Sequence, residues 1–218
     1  MFRMSSDAPN IIRSGRWGCP RGVSAADYWT RNSLRCTGTP RRTCSFFAAT
    51  ITPHDFRGSA LKIGVISDTH GLFDESIVPI FDGVDLIIHA GDIGKLEIIS
   101  RLEEIAPVIA VEGNNDSFGR FPVERVEELC GHRVLVRHIF GELHQIREAD
   151  KRMLEEVAPS VVVFGHSHRT YRHMLGRAML FNPGSAGPRR FSLPRTLGLL
   201  SLEREKAEAH IVDLDGSK

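Results

Sequence analysis

The sequence predicts an α/β domain over residues 61–218, built on two packed β-sheets with helices outside them. Three observations carry this. From residue 61, short apolar runs alternate with stretches of helical period, as in strand–helix–strand units that share a largely parallel sheet. After residue 170 the helical period stops and four strand-like runs succeed one another, which asks for a second sheet packed on the first. The roughly 158 residues of this part suffice to bury such a core.

In chain order, "LKIGVI" (61–66) is a short apolar strand. A helix is expected over 74–82, with Asp74 as its N-cap and Gly83 just past its end. "VDLIIHA" (84–90) is the next strand. Leu96, Ile99, Leu102 and Ile105 repeat at helical spacing, and Pro107 stops that helix. "PVIAVEG" (107–113) is a third strand, "ERVEEL" (124–129) alternates like an edge strand, and "RVLVRHI" (133–139) comes next. A helix over 147–158 ends before Pro159 and leads into "VVVFG" (161–165). Antiparallel strands are expected at 171–175 and 178–181 around a turn at Gly176-Arg177, then at 197–203 and 207–213.

Composition divides the chain. Residues 1–60 hold nine Arg, no Lys, three Asp and no Glu, a net of +6, while the remainder carries −5. Three of the four cysteines (Cys19, Cys36, Cys44) and both tryptophans (Trp17, Trp29) also lie there, and no period of 2 or 3.6 is sustained. We read this segment as a basic, poorly ordered N-terminal tail with a boundary near residue 60. An Arg-rich, acid-poor start also fits a transit peptide. Equally, "LKIGVISDTHG" would be an ordinary protein start if Leu61 were the initiator.

For the whole chain the net charge is only +1, and no apolar run approaches the roughly 18 residues of a spanning helix. Neither nucleic acid nor membrane is indicated as a partner. The cysteines lack the paired spacing of a zinc site or a disulfide framework, so a reducing cytoplasm is the expected compartment.

The ends of the strands carry the chemistry. After 61–66 come Asp68 and His70, after 84–90 comes Asp92, and after the third strand come Asn114, Asn115 and Asp116. Strand 133–139 ends on His138, and "GHSH" after 161–164 supplies His166 and His168. Ligands of α/β sheets collect at the carboxyl ends of parallel strands, so these residues converge. In an extended segment side chains at i and i+2 point the same way, which would aim His166 with His168, and Asp68 with His70, at one place. Glycines at 71, 91, 113 and 165 let the backbone turn beside it. Seven such groups are too many for one tetrahedral ion and suit two ions with a shared ligand; imidazole with carboxylate suits zinc, iron or manganese. Two Asp against two divalent ions leave a charge of roughly +2, which attracts phosphate and acidifies bound water.

In this order, D-x-H, G-D, G-N, H and G-H-x-H, the motifs resemble the signature of the calcineurin-like metallophosphoesterases. They stand here as Asp68-Thr69-His70, Gly91-Asp92, Gly113-Asn114, His138 and Gly165-His166-Ser167-His168. The short length, "GNND" and "FNPGSAGPRR" (181–190) are similar to the small bacterial phosphodiesterase branch, which includes the retromer scaffold subunit of eukaryotes. The resemblance spans nearly all of 61–218 and implies an αββα sandwich of two packed mixed sheets flanked by helices. It implies that one metal ion takes Asp68, His70 and His168, that a second takes Asn114, His138 and His166, and that Asp92 bridges them. It further implies a hydrolase of phosphate esters, a phosphodiesterase acting on a small phosphodiester through a metal-bound hydroxide. The expected cofactors are two divalent ions, manganese first, with zinc, iron or nickel accepted by the same donors. A phosphomonoesterase or nucleotidase on the same site, and a non-catalytic scaffold on the same fold, are the alternatives.

Besides the metal ligands, Asn114 and Asp116 are the candidate catalytic side chains, with Asp116 either a proton donor to the leaving group or a holder of neighbouring ligands. Larger phosphatases of the superfamily carry a histidine directly after the motif asparagine as the leaving-group acid. Here that place is Asn115, which cannot donate a proton in that sense. The fourth motif reads "HIFG" rather than "HG", with Gly141 displaced, so His144 competes with His138. His89, inside an apolar strand, reads as a buried or supporting histidine. His132, His173 and His210 read as surface residues, Arg189 and Arg190 as a solvated basic pair ahead of the alternative that they contact substrate, and Cys130 as a core or turn residue.

Overall fold

The computed structural model describes residues 60–117, 119–142, 146–190 and 192–216. The expectations for residues 1–59, and His144 as an alternative ligand, fall outside the described residues.

Aliphatic runs become strands where both of their faces are covered. β1 (Leu61–Ile66), β2 (Leu86–His89) and β3 (Val108–Ala110) lie parallel, connected through α1 (Ile77–Ile80) and α2 (Leu96–Glu103). In the second sheet β4 (Glu124–Leu129) is an antiparallel edge on β5 (His132–Arg137), and β5 reaches the parallel β6 (Val161–Val163) through α3 (Glu148–Val157). β7 (Thr170–Leu175) and β8 (Ala178–Pro183) complete that sheet in the order β4-β5-β6-β8-β7. β9 (Thr196–Glu203) and β10 (Lys206–Asp213) return to the first sheet, giving β10-β9-β1-β2-β3.

One expectation is corrected here. The four strands after residue 170 do not form a sheet of their own: β7 and β8 extend β4–β6, and β9 and β10 cover the free edge of β1. Hairpin signals are local, whereas the edge that accepts a hairpin is chosen by pairing across the fold. Both sheets are therefore mixed.

Ile63, Val65 and Ile88 of the first sheet meet Val134, Val136, Val161 and Phe181 of the second, all fully buried. On the outer face of the first sheet Ile66 and Ile87 pack with Ile77 of α1 and Ile98 and Leu102 of α2. On the outer face of the second, Leu135 and Val162 pack with Met153 and Leu154 of α3. Each fully buried side chain of this kind stabilises the fold by about 1.5–3 kcal/mol. The layers run helix, sheet, sheet, helix.

Two local readings also change. Helix α1 is a single turn rather than 74–82, because Asp74 is not its N-cap. The Asp74 carboxylate accepts the Ser76 N–H at 2.9 Å and the Ser76 hydroxyl at 2.7 Å, and it also pairs with Arg195. That closes a turn ahead of the helix. His132 is buried rather than exposed. Its Nε2 donates to the Glu203 carbonyl at 2.5 Å and its Nδ1 accepts the Ser160 hydroxyl at 3.0 Å, which fastens the start of β5 to the β9–β10 hairpin of the other sheet.

Candidate metal centre

Strands β1, β2, β5 and β6 each end in a loop, and the loops are bonded to one another. The Asp68 N–H donates to the Gly91 carbonyl at 3.0 Å and the His70 N–H to the Asp92 carbonyl at 2.9 Å. The Gly165 N–H donates to the His138 carbonyl at 3.0 Å. The His166 N–H donates to Asp68 Oδ2 at 3.0 Å and so joins the second sheet to the first.

The backbone at these loops differs from the extended conformation expected for paired i and i+2 side chains. Asp68, His70, Asp92, His166 and His168 all adopt left-handed conformations, with φ of 54°, 46°, 53°, 70° and 57°. Such values are uncommon for residues other than glycine, cost about 1–3 kcal/mol each, and cluster at functional sites. Each strand turns abruptly at its end, and the reversal, not the strand pleat, aims the side chains inward.

These turns make a two-lobed cage. In one lobe His168 Nε2 lies 3.2 Å from Asp68 Oδ1 and 3.3 Å from His70 Nε2, and His70 Nε2 lies 4.0 Å from Asp68 Oδ1. In the other, His138 Nε2 lies 3.4 Å from Asp92 Oδ1 and 3.9 Å from Asp68 Oδ1. Asp92 faces both lobes, since its Oδ2 is 3.8 Å from His70 Nε2. The His166 ring stands edge-on to His138 with centroids 5.3 Å apart. Asn114 is exposed on the turn after β3, next to Asn115, whose N–H is bonded to Asp92.

The donors fit cations. Asp68 Oδ1 and His138 Nε2 are buried and have no hydrogen-bond partner among the described residues. His138 Nδ1 donates to the Ala90 carbonyl at 2.7 Å, which leaves the Nε2 lone pair facing the Asp92 carboxylate. Two acceptors face each other there, and a positive charge between them resolves the conflict.

The proton equilibria point the same way. Burial tends to raise Asp92, but neighbouring His138 and the two bonds from Asn115 hold it far below the ordinary carboxylate range. Burial likewise opposes ionisation of Asp68, and His168, His138 and Ser67 outweigh it, so its pKa is lowered. Burial alone would depress His138, yet Asp92 and Asp68 raise it. Burial and the Arg190 charge together lower His70 against the pull of the two carboxylates. The cage is thus built to stay anionic and to hold positive charge.

A further shell holds these side chains. The Ser67 hydroxyl donates to Asp68 Oδ2 at 2.6 Å, which leaves Oδ1 for the cage. The Ser185 hydroxyl donates to the Asp68 carbonyl at 3.0 Å, and Asn182 Nδ2 to the Gly165 carbonyl at 2.8 Å. The "NPGS" segment therefore clamps both ligand loops. Gly113 and Gly165 are required for space: a Cβ at Gly113 would overlap the Asp92 carboxylate, and one at Gly165 the Ser67 hydroxyl. Buried His89 accepts the Gly91 N–H on Nδ1 at 3.2 Å, so Nε2–H donates to Thr69 Oγ1 at 2.9 Å. Burial pushes its pKa down to about 4 and keeps it neutral.

Asp116 lies behind the cage. Its Oδ2 accepts the N–H groups of Ile93 and Gly113, and its Oδ1 that of Gly94, all at 2.9 Å. Both oxygens accept backbone N–H groups, which makes Asp116 a loop staple. The sequence reading missed the part played by Asn115, which binds both oxygens of Asp92, and those of Ser67, Asn182 and Ser185. Their only sequence signal is adjacency to the motif residues or to the "NPGS" segment. Arg189 pairs with Asp215 at 2.6 Å, whereas Arg190 reaches the rim of the cage.

Two mixed sheets whose strand ends meet in a carboxylate–imidazole cage define a metal-dependent phosphoesterase fold. The chain belongs to the calcineurin-like phosphoesterase superfamily, whose domain model matches residues 61–205. A probable metallophosphoesterase of Methanothermobacter thermautotrophicus is 35% identical over 163 residues, covering 70% of this chain and 92% of that protein. One from Bacillus subtilis is 32% identical, covering 72% and 94%. Among solved structures, a predicted phosphoesterase of Streptococcus pneumoniae superposes with a TM-score of 0.58 at 24% identity, covering 72% of this chain and 91% of its own. An archaeal phosphodiesterase (TM-score 0.55, 22% identity, 69% and 99% covered) and the zinc complex of Vps29 from Entamoeba histolytica (0.56, 16%, 70% and 98%) share the fold. Among the described residues no helix is long and apolar enough to cross a membrane.

Proposed function

We propose that this phosphoesterase is a phosphodiesterase with a two-metal site. The observation that carries the reading is the double cage, in which Asp92 offers one oxygen toward His70 and the other toward His138. Asp68, His70 and His168 would hold one divalent ion, Asn114, His138 and His166 the other, and Asp92 both. The donor set suits manganese, and zinc, iron and nickel accept the same ligands. When bound, such ions acidify water and neutralise charge on a phosphoryl group. The chain's own residues fix the geometry in advance: Asn115 orients Asp92, the Ala90 carbonyl sets the His138 tautomer, and Ser67 turns Asp68 Oδ1 inward.

Preference for diesters rests on the residue after Asn114. Asn115 has its amide on Asp92 and no titratable proton, so no side chain at that position protonates a departing alkoxide. Substrates with acidic leaving groups are favoured, and alkyl monoesters are not. The superposed archaeal phosphodiesterase agrees with this choice. The net charge of +1 favours a small phosphodiester over nucleic acid as the substrate. The deciding assay compares an aryl diester with the matching monoester under saturating manganese. Faster monoester turnover would overturn the reading.

The second reading, a scaffold, is favoured by the Vps29 neighbours. One of them is a zinc complex, so metal content does not separate the two readings and turnover does.

A further inference from the structure

The segment that clamps the ligand loops ends in two arginines of unlike surroundings. Arg189 is paired with Asp215. Arg190 is exposed, and its Nη2 stands 3.3 Å from His70 Nε2, the ring atom that faces the cage. Among the described residues no carboxylate lies within ion-pairing reach of Arg190.

Its backbone is anchored. The Leu193 N–H donates to the Arg190 carbonyl at 3.2 Å, Arg195 Nε to the Gly187 carbonyl at 3.1 Å, and the Gly187 N–H to Ser185 Oγ at 3.3 Å. Ser185 in turn holds the Asp68 carbonyl. The side chain is thus delivered to the rim by the same segment that supports a ligand loop.

A guanidinium carries five donors and no acceptor. It can donate to His70 Nε2 only while that lone pair is free, and a cation bound there would repel it. The partner within reach is then the anion that the cations attract. A phosphodiester presents two unesterified oxygens, which match the planar fork of arginine. We propose that Arg190 is a substrate-binding residue that grips the non-bridging oxygens of the phosphodiester. The inference rests on the phosphodiesterase reading for its substrate, but its anion-binding core can be tested without turnover.

The experiment uses the metal-loaded full chain as wild type, Arg190→Lys and Arg190→Ala. Three quantities are measured: inorganic phosphate binding by calorimetry, metal content, and kcat and KM for an aryl diester. Arg190→Ala should weaken phosphate binding and raise KM by about 10- to 100-fold. Metal content should hold and kcat should change only a few-fold. Arg190→Lys, which keeps the charge and loses the fork, should fall between. Unchanged phosphate affinity in Arg190→Ala overturns the proposal. So does a change in metal affinity with phosphate affinity per loaded site unaltered, because Arg190 would then act on cation binding alone. If the wild type binds phosphate but turns over no ester, and Arg190→Ala loses that binding, the phosphodiesterase reading fails and the role of Arg190 stands.

Discussion

Asn115 holds Asp92 by both oxygens: its N–H donates to Oδ1 at 2.9 Å and its side-chain amide to Oδ2 at 2.5 Å. An asparagine that cannot act as an acid thus gives direction to the carboxylate shared by both lobes. Asn115→Ala keeps the backbone bond and removes the other. Metal affinity and kcat/KM should each fall by about 10- to 100-fold, the effect usual for partners that orient metal ligands. Metal titration of the variant checks this; an unchanged affinity would show that the backbone bond suffices.

Asp116 should act on the loop and not on the leaving group. Asp116→Asn removes an acceptor from a set of three backbone N–H bonds, and a loss of about 1–3 kcal/mol in stability is expected. The dependence of rate on leaving-group pKa should keep its slope. A slope that steepens in the variant would restore Asp116 as the acid.

His89 gives the metal-free protein a specific pH dependence. Its folded pKa of about 4 lies below the ordinary value of 6.5, so the unfolded chain binds the proton first. Stability from this group is complete above 6.5, declines as pH falls toward 4, and is lost below that. The full effect is on the order of 3 kcal/mol. Urea midpoints of wild type and His89→Gln, measured from pH 7 to 4, should converge as pH falls. Parallel curves would mean His89 is not held neutral.

His132 tests whether the two sheets are fastened away from the site. It begins β5, while His138 lies just past the end of the same strand, about 20 Å away at strand rise. His132→Ala should cost about 2–3 kcal/mol through two lost hydrogen bonds and a cavity. Activity per folded molecule should not change. Loss of activity without loss of stability would contradict the assignment.

Much of the site was legible from residue order. The strand ends announced Asp68, His70, Asp92, His138, His166 and His168 because a parallel sheet gathers the residues just past its strands. The sheet that receives β9 and β10 was hidden, since pairing between β1 and β9 spans more than a hundred residues and leaves no local mark. The left-handed turns were hidden as well, because Asp and His carry no conformational signal comparable to glycine. His132 looked like a surface residue for a related reason: its partner Glu203 belongs to a distant hairpin.

The most direct test of the two-metal phosphodiesterase is a manganese titration of the metal-free chain with diester hydrolysis measured at every point. Two ions should bind per chain, with turnover tracking occupancy of the second, and Asp92→Asn should lose at least one ion and about 10²-fold or more in rate. Saturation at one ion with full activity, or two bound ions with no hydrolysis of any phosphodiester, would contradict it.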